Sequence, residues 1–359
     1  MKTIKFNKDN NFPGSIKTKI GVDSFNCTTL RVDKVADGRY AVVEFIKDWE
    51  LDSARRDFTV NSMYLSLDGT LFDYHGGYHH ARETVINFVG EPDDRIKEDY
   101  LRILRYFRFY GRIANDPDNH DEKITVSIKQ NADGLSKLTG ARIWMELKQI
   151  VVGNYAPEIL SKMLQCGLAP YLNLPSTFDI NSCFSLLNRC RNVEICPKKL
   201  NPVTIIAAGL SNVDDAYTFL ARSKSTKLER QILIFIIENR NLFMDTNTHS
   251  LLKKPDDEFL RLSKHFLYEG KLEETTIMKI VELLKYCGLQ STIKELYEWQ
   301  IPEFPVEMSD LAFIRDFKTR RKVRDILIYI WGESDHKLTH KDLIDKVDNV
   351  LIDLERRNL

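Results

Sequence analysis

An α+β chain is predicted, β-rich at its start and almost purely helical from Asp121 onward, and three observations carry the reading. Short β-branched or alternating runs, separated by turn residues, fill the stretch up to Phe45. From Asp121 the apolar residues recur at helical spacing through one segment after another, punctuated by Gly, Pro and Asn. No internal repeat of fixed period and no low-complexity tract interrupts them.

In chain order, Ser15 to Ile20, Phe25 to Val32 and Tyr40 to Phe45 read as strands, with turns at Gly21-Val22-Asp23-Ser24 and Ala36-Asp37-Gly38. Arg55-Arg56-Asp57 is expected to open a helix. Asp68-Gly69, between alternating apolar residues, predicts a hairpin. After Gly76-Gly77, expected to permit a tight loop, a short strand is read over Val85 to Val89. Pro92 to Arg112 follows as one partly buried helix, on which Asp99 and Arg102 lie three apart and Glu98 and Arg102 four apart, so that they share a face. Helices are then read at Lys123–Ala132, Arg142–Val152, Ala156–Gln165, Phe178–Arg191, Pro202–Gly209, Asp214–Ala221, Lys227–Asn239, Asp256–Phe266, Glu273–Cys287 and Thr292–Trp299, with a charged amphipathic helix over Lys337–Leu359. Arg142 and Glu146 are spaced as an i, i+4 pair.

The 359 residues carry 52 basic and 52 acidic side chains, so the whole-chain field draws in no polyanion and any nucleic-acid contact must be a local basic patch. Six cysteines without C-x-x-C spacing fit reduced thiols better than a disulfide framework or a zinc site. The sequence as written shows no signal peptide, no run of eighteen apolar residues and no Arg/Ser-rich amphipathic leader, which favours a cytosolic or nuclear protein and no membrane contact.

Three motifs carry more than fold information. They are Arg55-Arg56-Asp57-Phe58-Thr59-Val60-Asn61-Ser62, then Phe72-Asp73-Tyr74 with Gly76-Gly77-Tyr78, then Glu98-Asp99-Tyr100-Leu101-Arg102-Ile103-Leu104-Arg105. In this order and spacing they resemble the class II tRNA nucleotidyltransferases, the CCA-adding enzymes, with wording closest to the eukaryotic, mitochondrial type. The resemblance runs from about Gly14 to the tail, most clearly from Thr28 to Leu147. It implies a nucleotidyltransferase head over 1–90, a neck with a nucleotide-selecting helix over 91–153, a helical body over 154–300 and a tRNA-contacting tail over 301–359. It further implies addition of C, C and A to tRNA 3′ ends from CTP and ATP with Mg²⁺, and a family that also works in mitochondria.

On this resemblance the pocket comprises Arg55, Arg56, Asp57, Asn61, Asp99, Arg102 and Arg105. Guanidiniums at Arg55 and Arg56 suit triphosphate or ribose, and Asp57 can pair with one of them. Asn61 can reach a sugar hydroxyl or cap a turn. A carboxylate at Asp99 accepting from an exocyclic amine, beside a guanidinium at Arg102 donating to a ring acceptor, selects C and A over U and G. Such a contact is worth about 1–3 kcal/mol of discrimination. Arg105 is placed to brace the pocket or touch phosphate. In the tail, Phe304-Pro305-Val306 and Ser309-Asp310-Leu311 resemble a family element, and the basic run Arg315, Lys318, Arg320, Arg321 and Arg324, with Phe313 and Phe317 interleaved, is read as an RNA-backbone contact.

The sequence departs from the family in several places. Its Gly-Gly phosphate turn and the Asp-x-Asp pair that hold the metal do not precede Gly14, so the head reads as truncated on its N-terminal side. The one Asp-x-Asp, Asp116-Pro117-Asp118, reads as a turn, and Asn26 stands where the third head carboxylate is expected. His79-His80-Ala81 replaces a usual Asp-Leu pair, and Ala141 an acid. Magnesium is therefore expected of the family without ligands here, and a chain that binds nucleotide and tRNA without catalysing transfer is the alternative reading. A bacterial-type poly(A) polymerase is a second alternative, which the Phe-Pro-Val tail fits less well.

Overall fold

A computed structural model describes residues 4–8, 15–37, 40–244, 255–269, 273–300 and 302–356. Gly14, Gly38, Ile301 and the last three residues of the expected terminal helix lie outside them. The chain forms two compact units, Met1–Leu174 and Pro175–Leu359.

In the first unit, β1 (Ile4–Lys8), β2 (Ser15–Ile20) and β3 (Asp23–Thr28) make an antiparallel three-stranded sheet. The strand expected over Phe25–Val32 is in fact two. The chain leaves β2 after Thr28 and starts β4 (Arg31–Asp37), which pairs instead with β5 (Tyr40–Phe45) across a bulge at Asp33 to Val35. Side-chain alternation cannot reveal that change of partner, because both halves alternate alike.

Helix α1 (Trp49–Ala54) is capped by the Asp48 carboxylate, which accepts from Leu51 N, and it ends before Arg55. Arg55 to Asp57 therefore close a helix rather than open one. A 3-10 turn at Thr59–Asn61 leads into the expected hairpin, β6 (Tyr64–Leu65) against β7 (Leu71–Phe72), whose turn uses Gly69 at φ 89°. The strand read at Val85–Val89 is absent. Phe88 makes a single bridge to Phe58, and the ladder goes no further because the 3-10 turn at Thr59 curls its partner away. Helix α2 (Gly77–Arg82) begins so close to that turn that a Cβ on Gly77 would sit 2.2 Å from the Thr59 carbonyl oxygen.

The helix expected over Pro92–Arg112 is two, α3 (Pro92–Glu98) and α4 (Leu101–Ile113), broken where Asp99 turns extended (φ −151°, ψ 105°). The Asp99 carboxylate accepts from Leu101 N at 3.1 Å and its carbonyl from Arg102 N at 2.9 Å, so this short acid starts α4 in the manner of an N-cap. Ile96, Ile103, Leu104 and Phe107 are all fully buried across the break, which is why the apolar period passes through it unmarked. Helices α5 (Glu122–Gln130), α6 (Gly140–Val151) and α7 (Ala156–Gln165) complete the unit, their core residues Ile128, Leu147 and Leu160 buried with Phe58. Phe58 anchors an aromatic cluster, with ring centroids 4.9 Å from Phe88 and 5.6 Å from Phe109.

The second unit is helical. It contains α8 (Ile180–Asn192), α9 (Pro202–Gly209), α10 (Val213–Arg222), α11 (Lys227–Met244), α12 (Pro255–Glu269), α13 (Glu274–Cys287) and α14 (Gln290–Glu298). Every residue of α9 from Val203 to Gly209 is buried, as its unbroken apolar run requires. The tail is α15 (Phe317–Glu333), α16 (His340–Ile344) and α17 (Val347–Arg356), packed on Val306, Leu311 and Trp331. The single terminal helix expected from Lys337 is thus two. A Thr339–Asp342 capping box starts the first of them only after residue 339.

Candidate functional site

Six of the seven pocket residues read from the sequence line one cleft of about 400 Å³ in the first unit: Arg55, Arg56, Asp57, Asn61, Arg102 and Arg105. Phe109, which the sequence reading missed, completes the lining. The motif at 55–61 and the helix at 101–113 meet there because Phe58 and Phe109 pack edge to face and the Asp57 and Arg105 side chains bridge them.

The ion pairs differ from those expected. Asp57 pairs with Arg105 rather than with Arg55 or Arg56: its Oδ2 accepts from Arg105 Nε at 2.7 Å, while Oδ1 accepts from Phe58 N at 3.0 Å and from Asn61 Nδ2 at 3.2 Å. Arg55 and Arg56 instead converge on Asp52, one turn upstream, at 2.7 and 2.8 Å. Asp52 has no exposed side-chain surface and also accepts from Tyr64 Oη at 2.6 Å and Arg31 N at 3.0 Å. Burial opposes its ionisation, but those four donor groups together hold its carboxyl well below the usual range. Burial and the adjacent Asp52 push the Tyr64 phenol up to about 12. The three- and four-residue spacing of Asp52 to Arg55 and Arg56 was the available signal for this residue.

Asp99 and Arg102 do not form the expected pair on one helix face. Arg102 donates to Glu98 at 2.6 Å, to the Arg95 carbonyl at 2.8 Å and to the Arg55 carbonyl at 3.2 Å. Asp99 lies at the helix break, not among the lining residues, and accepts from Arg142 of α6 at 3.0 and 3.1 Å. Glu146, the other half of the expected Arg142 pair, lies 2.9 Å from Arg108 of α4. Burial raises the Glu146 carboxyl despite that neighbour. Phe109 offers its ring to three guanidiniums, with Arg108 4.6 Å and Arg105 5.5 Å from its centroid.

The loop residues have structural work. Asp73 accepts from Gly77 N and Tyr78 N at 2.8 Å each, fixing the start of α2. His80 is tied to Thr59 Oγ1 at 2.9 Å and Asn87 Nδ2 at 3.1 Å, and His79 faces Glu83 at 3.2 Å, so the two imidazoles point to different partners. Asp116-Pro117-Asp118 is a turn, with Asp116 accepting from Asp118 N at 2.8 Å. Asn26 sits on β3 opposite Lys17, exposed.

The donor set does not fit Mg²⁺. Among the described residues no group of three His, Cys, Asp or Glu side chains is arranged to hold a metal, and both the cleft carboxylate Asp57 and the buried Asp52 are committed to guanidiniums.

In the second unit the basic run divides. Arg320 turns inward, donating to the Ile314 carbonyl at 2.7 Å and the Ala312 carbonyl at 3.3 Å, and Arg324 covers the Phe304 ring at 5.2 Å. Arg315, Lys318 and Arg321 remain exposed, beside Phe313 and Phe317 at 60% and 64% exposure.

Residues 2–87 match the family model described as the poly A polymerase head domain, and residues 121–179 match the one described as a probable RNA and SrmB-binding site of polymerase A. The chain is 37% identical over 338 residues to the human CCA tRNA nucleotidyltransferase 1, mitochondrial, covering 93% of this chain and 74% of that protein. Its fold resembles that of the Bacillus stearothermophilus CCA-adding enzyme in complex with CTP, with a TM-score of 0.63 at 17% identity over 96% of this chain and 83% of the other. It also resembles the Thermotoga maritima CCA-adding enzyme complexed with tRNA, with a TM-score of 0.57 at 18% identity over 97% and 81%.

Proposed function

The chain belongs to the class II tRNA nucleotidyltransferases, the CCA-adding enzymes, and on that premise we propose that the cleft at Arg55, Arg56, Asn61, Arg102 and Arg105 selects CTP and ATP for addition to tRNA 3′ ends. The single observation that carries the reading is the convergence of six independently spaced polar residues on one basic cleft. Four guanidiniums and one carboxylate give it a net positive lining suited to a polyphosphate. Phe109 adds an aromatic face. The head-domain description would suit a poly(A) polymerase as well, but the relative that spans 93% of the chain carries the CCA-adding name.

Base choice falls to Asp99 and Arg102. Arg102 already borders the cleft, and Asp99 reaches a base by exchanging its contact with Arg142 for the exocyclic amine of C or A. Nucleotidyl transfer in this family uses a divalent metal, whose ligands the described residues do not supply, so the role assigned to them is selection and binding. The exposed Arg315, Lys318 and Arg321 are the RNA-facing part of the tail. The compartment proposed is the mitochondrion that names the human relative, and among the described residues no helix is long and apolar enough to cross a membrane.

Calorimetric titration of CTP, ATP, UTP and GTP into wild type and Asp99→Ala tests the base reading. Wild type is expected to bind CTP and ATP more tightly than UTP and GTP, and the variant to lose about 1–3 kcal/mol of that preference while keeping its hold on the triphosphate. An exposed structural ion pair would leave base choice untouched and change stability by at most about 1 kcal/mol. If wild type shows no C/A preference, or the variant keeps it intact, Asp99 does not read the base.

A further inference from the structure

We propose that Asp52 is a positioning residue of the nucleotide site: its buried carboxylate holds the Arg55 and Arg56 guanidiniums at the cleft and so sets how tightly the triphosphate, rather than the base, is bound. This rests on the nucleotide reading of the cleft given above.

Asp52 does not line the cleft, and its side chain is wholly buried. Its two oxygens are fully subscribed. Oδ1 accepts from Arg31 N at 3.0 Å and from Arg55 Nε and Nη2 at 2.9 and 2.7 Å; Oδ2 accepts from Arg56 Nη2 at 2.8 Å and Tyr64 Oη at 2.6 Å. One carboxylate thus fixes two consecutive arginines from behind. Arg55 Nε also donates to the Arg31 carbonyl at 2.8 Å, so the Arg31 peptide is gripped on both its N–H and its C=O. The hub ties the start of β4 to α1 and to β6.

The electrostatic need for such a hub follows from the cleft itself. Arg55, Arg56, Arg102 and Arg105 crowd one space of about 400 Å³, where Asp57 pairs with Arg105 and Glu98 with Arg102. Without Asp52, the carboxylate that pairs with both of them, Arg55 and Arg56 would repel each other and their neighbours and would take extended, solvated rotamers. Placed outside the cleft, Asp52 offsets that repulsion without itself occupying the space the two guanidiniums line. Preorganised donors of this kind bind a polyanion without first being ordered by it.

The consequence is a split between parts of the nucleotide. Asp52→Asn keeps the shape, removes the charge and sets an amide N–H₂ against donors that need acceptors. In the full chain, CTP affinity is expected to fall about tenfold or more in Asp52→Asn, as for a lost charge-assisted pair, while CMP affinity changes less than about threefold. Tyr64→Phe removes only the hydroxyl donor to Oδ2 and keeps the ring packed, tilted by 56°, against Trp49 at 5.1 Å; it is expected to weaken CTP by about two- to fivefold with CMP unchanged. Calorimetric titration of CTP and CMP into the three proteins is the experiment, and the CTP-to-CMP affinity ratio is the readout that loss of stability alone does not move. An unchanged ratio in the folded variants overturns the proposal, and if Asp52→Asn does not fold, Tyr64→Phe decides it alone. A wild type that binds neither ligand overturns the nucleotide reading of the cleft, and the proposal with it.

Discussion

Arg320 donates three hydrogen bonds to the carbonyls of Ile314 and Ala312, while its neighbour Arg321 is exposed. A run of basic residues on a helix points around the whole circumference, so only part of it can face a ligand. Arg320→Ala strips a charged donor from carbonyls at the turn before α15 and is expected to cost about 1–3 kcal/mol in urea unfolding. Arg321→Ala should change stability by less than about 0.5 kcal/mol and instead flatten the log–log salt dependence of tRNA binding by roughly 0.7–0.9 unit. If Arg321→Ala leaves that slope as it was, the exposed rim is a solvated surface and not an RNA contact.

Helix α4 shows the same division of labour one scale up. Its cleft-facing side carries Arg102, Arg105 and Phe109, and its far side holds the loop before α5 through His120. His120 stacks on Tyr110 with centroids 3.8 Å apart and shares a 2.9 Å hydrogen bond between Nδ1 and Tyr106 Oη. Burial and the nearby Lys162 push its imidazole down to about 4, against the pull of Asp118 and Asp116. The native state therefore binds fewer protons than the unfolded chain between about pH 4 and pH 6.5, so this contribution is full above pH 6.5 and is lost on acidification through that window. For a group that is only partly buried the loss is on the order of 1–2 kcal/mol. Urea unfolding at pH 7 and pH 4.5 should show a drop that shrinks in His120→Phe; an identical drop in both proteins would exclude His120 as its source.

Across the whole molecule, 52 basic and 52 acidic residues cancel, and a local excess of positive charge is gathered in a cleft whose lining residues all fall between Arg55 and Phe109. Ligand at a hundred times its dissociation constant stabilises the protein that holds it by about 2.7 kcal/mol. Hydrogen exchange with saturating CTP should therefore slow amides of α1, the Thr59–Asn61 turn and α4, and leave α9 and α13, the buried centre of the second unit, at their ligand-free rates. Protection appearing first in α9 or α13 would move the nucleotide site out of the first unit.

Much of this was written in the sequence. Strands β2 and β5 and helices α7 and α9 have the bounds their patterns predict, and the Asp68-Gly69 hairpin forms, because side-chain alternation, the helical period and turn chemistry are local properties. The motif spacing likewise brought Arg55, Arg56, Asp57, Asn61, Arg102 and Arg105 to one site. Tertiary structure alone decided which charge answers which. Asp57 took Arg105 across 48 residues, Asp99 took Arg142 across 43, and Asp52 claimed the two arginines of the motif. An apolar period states which face is buried and is silent on partners and on a cap at Asp99. An ion pair is fixed only when packing has set which carboxylate is out of water and within reach.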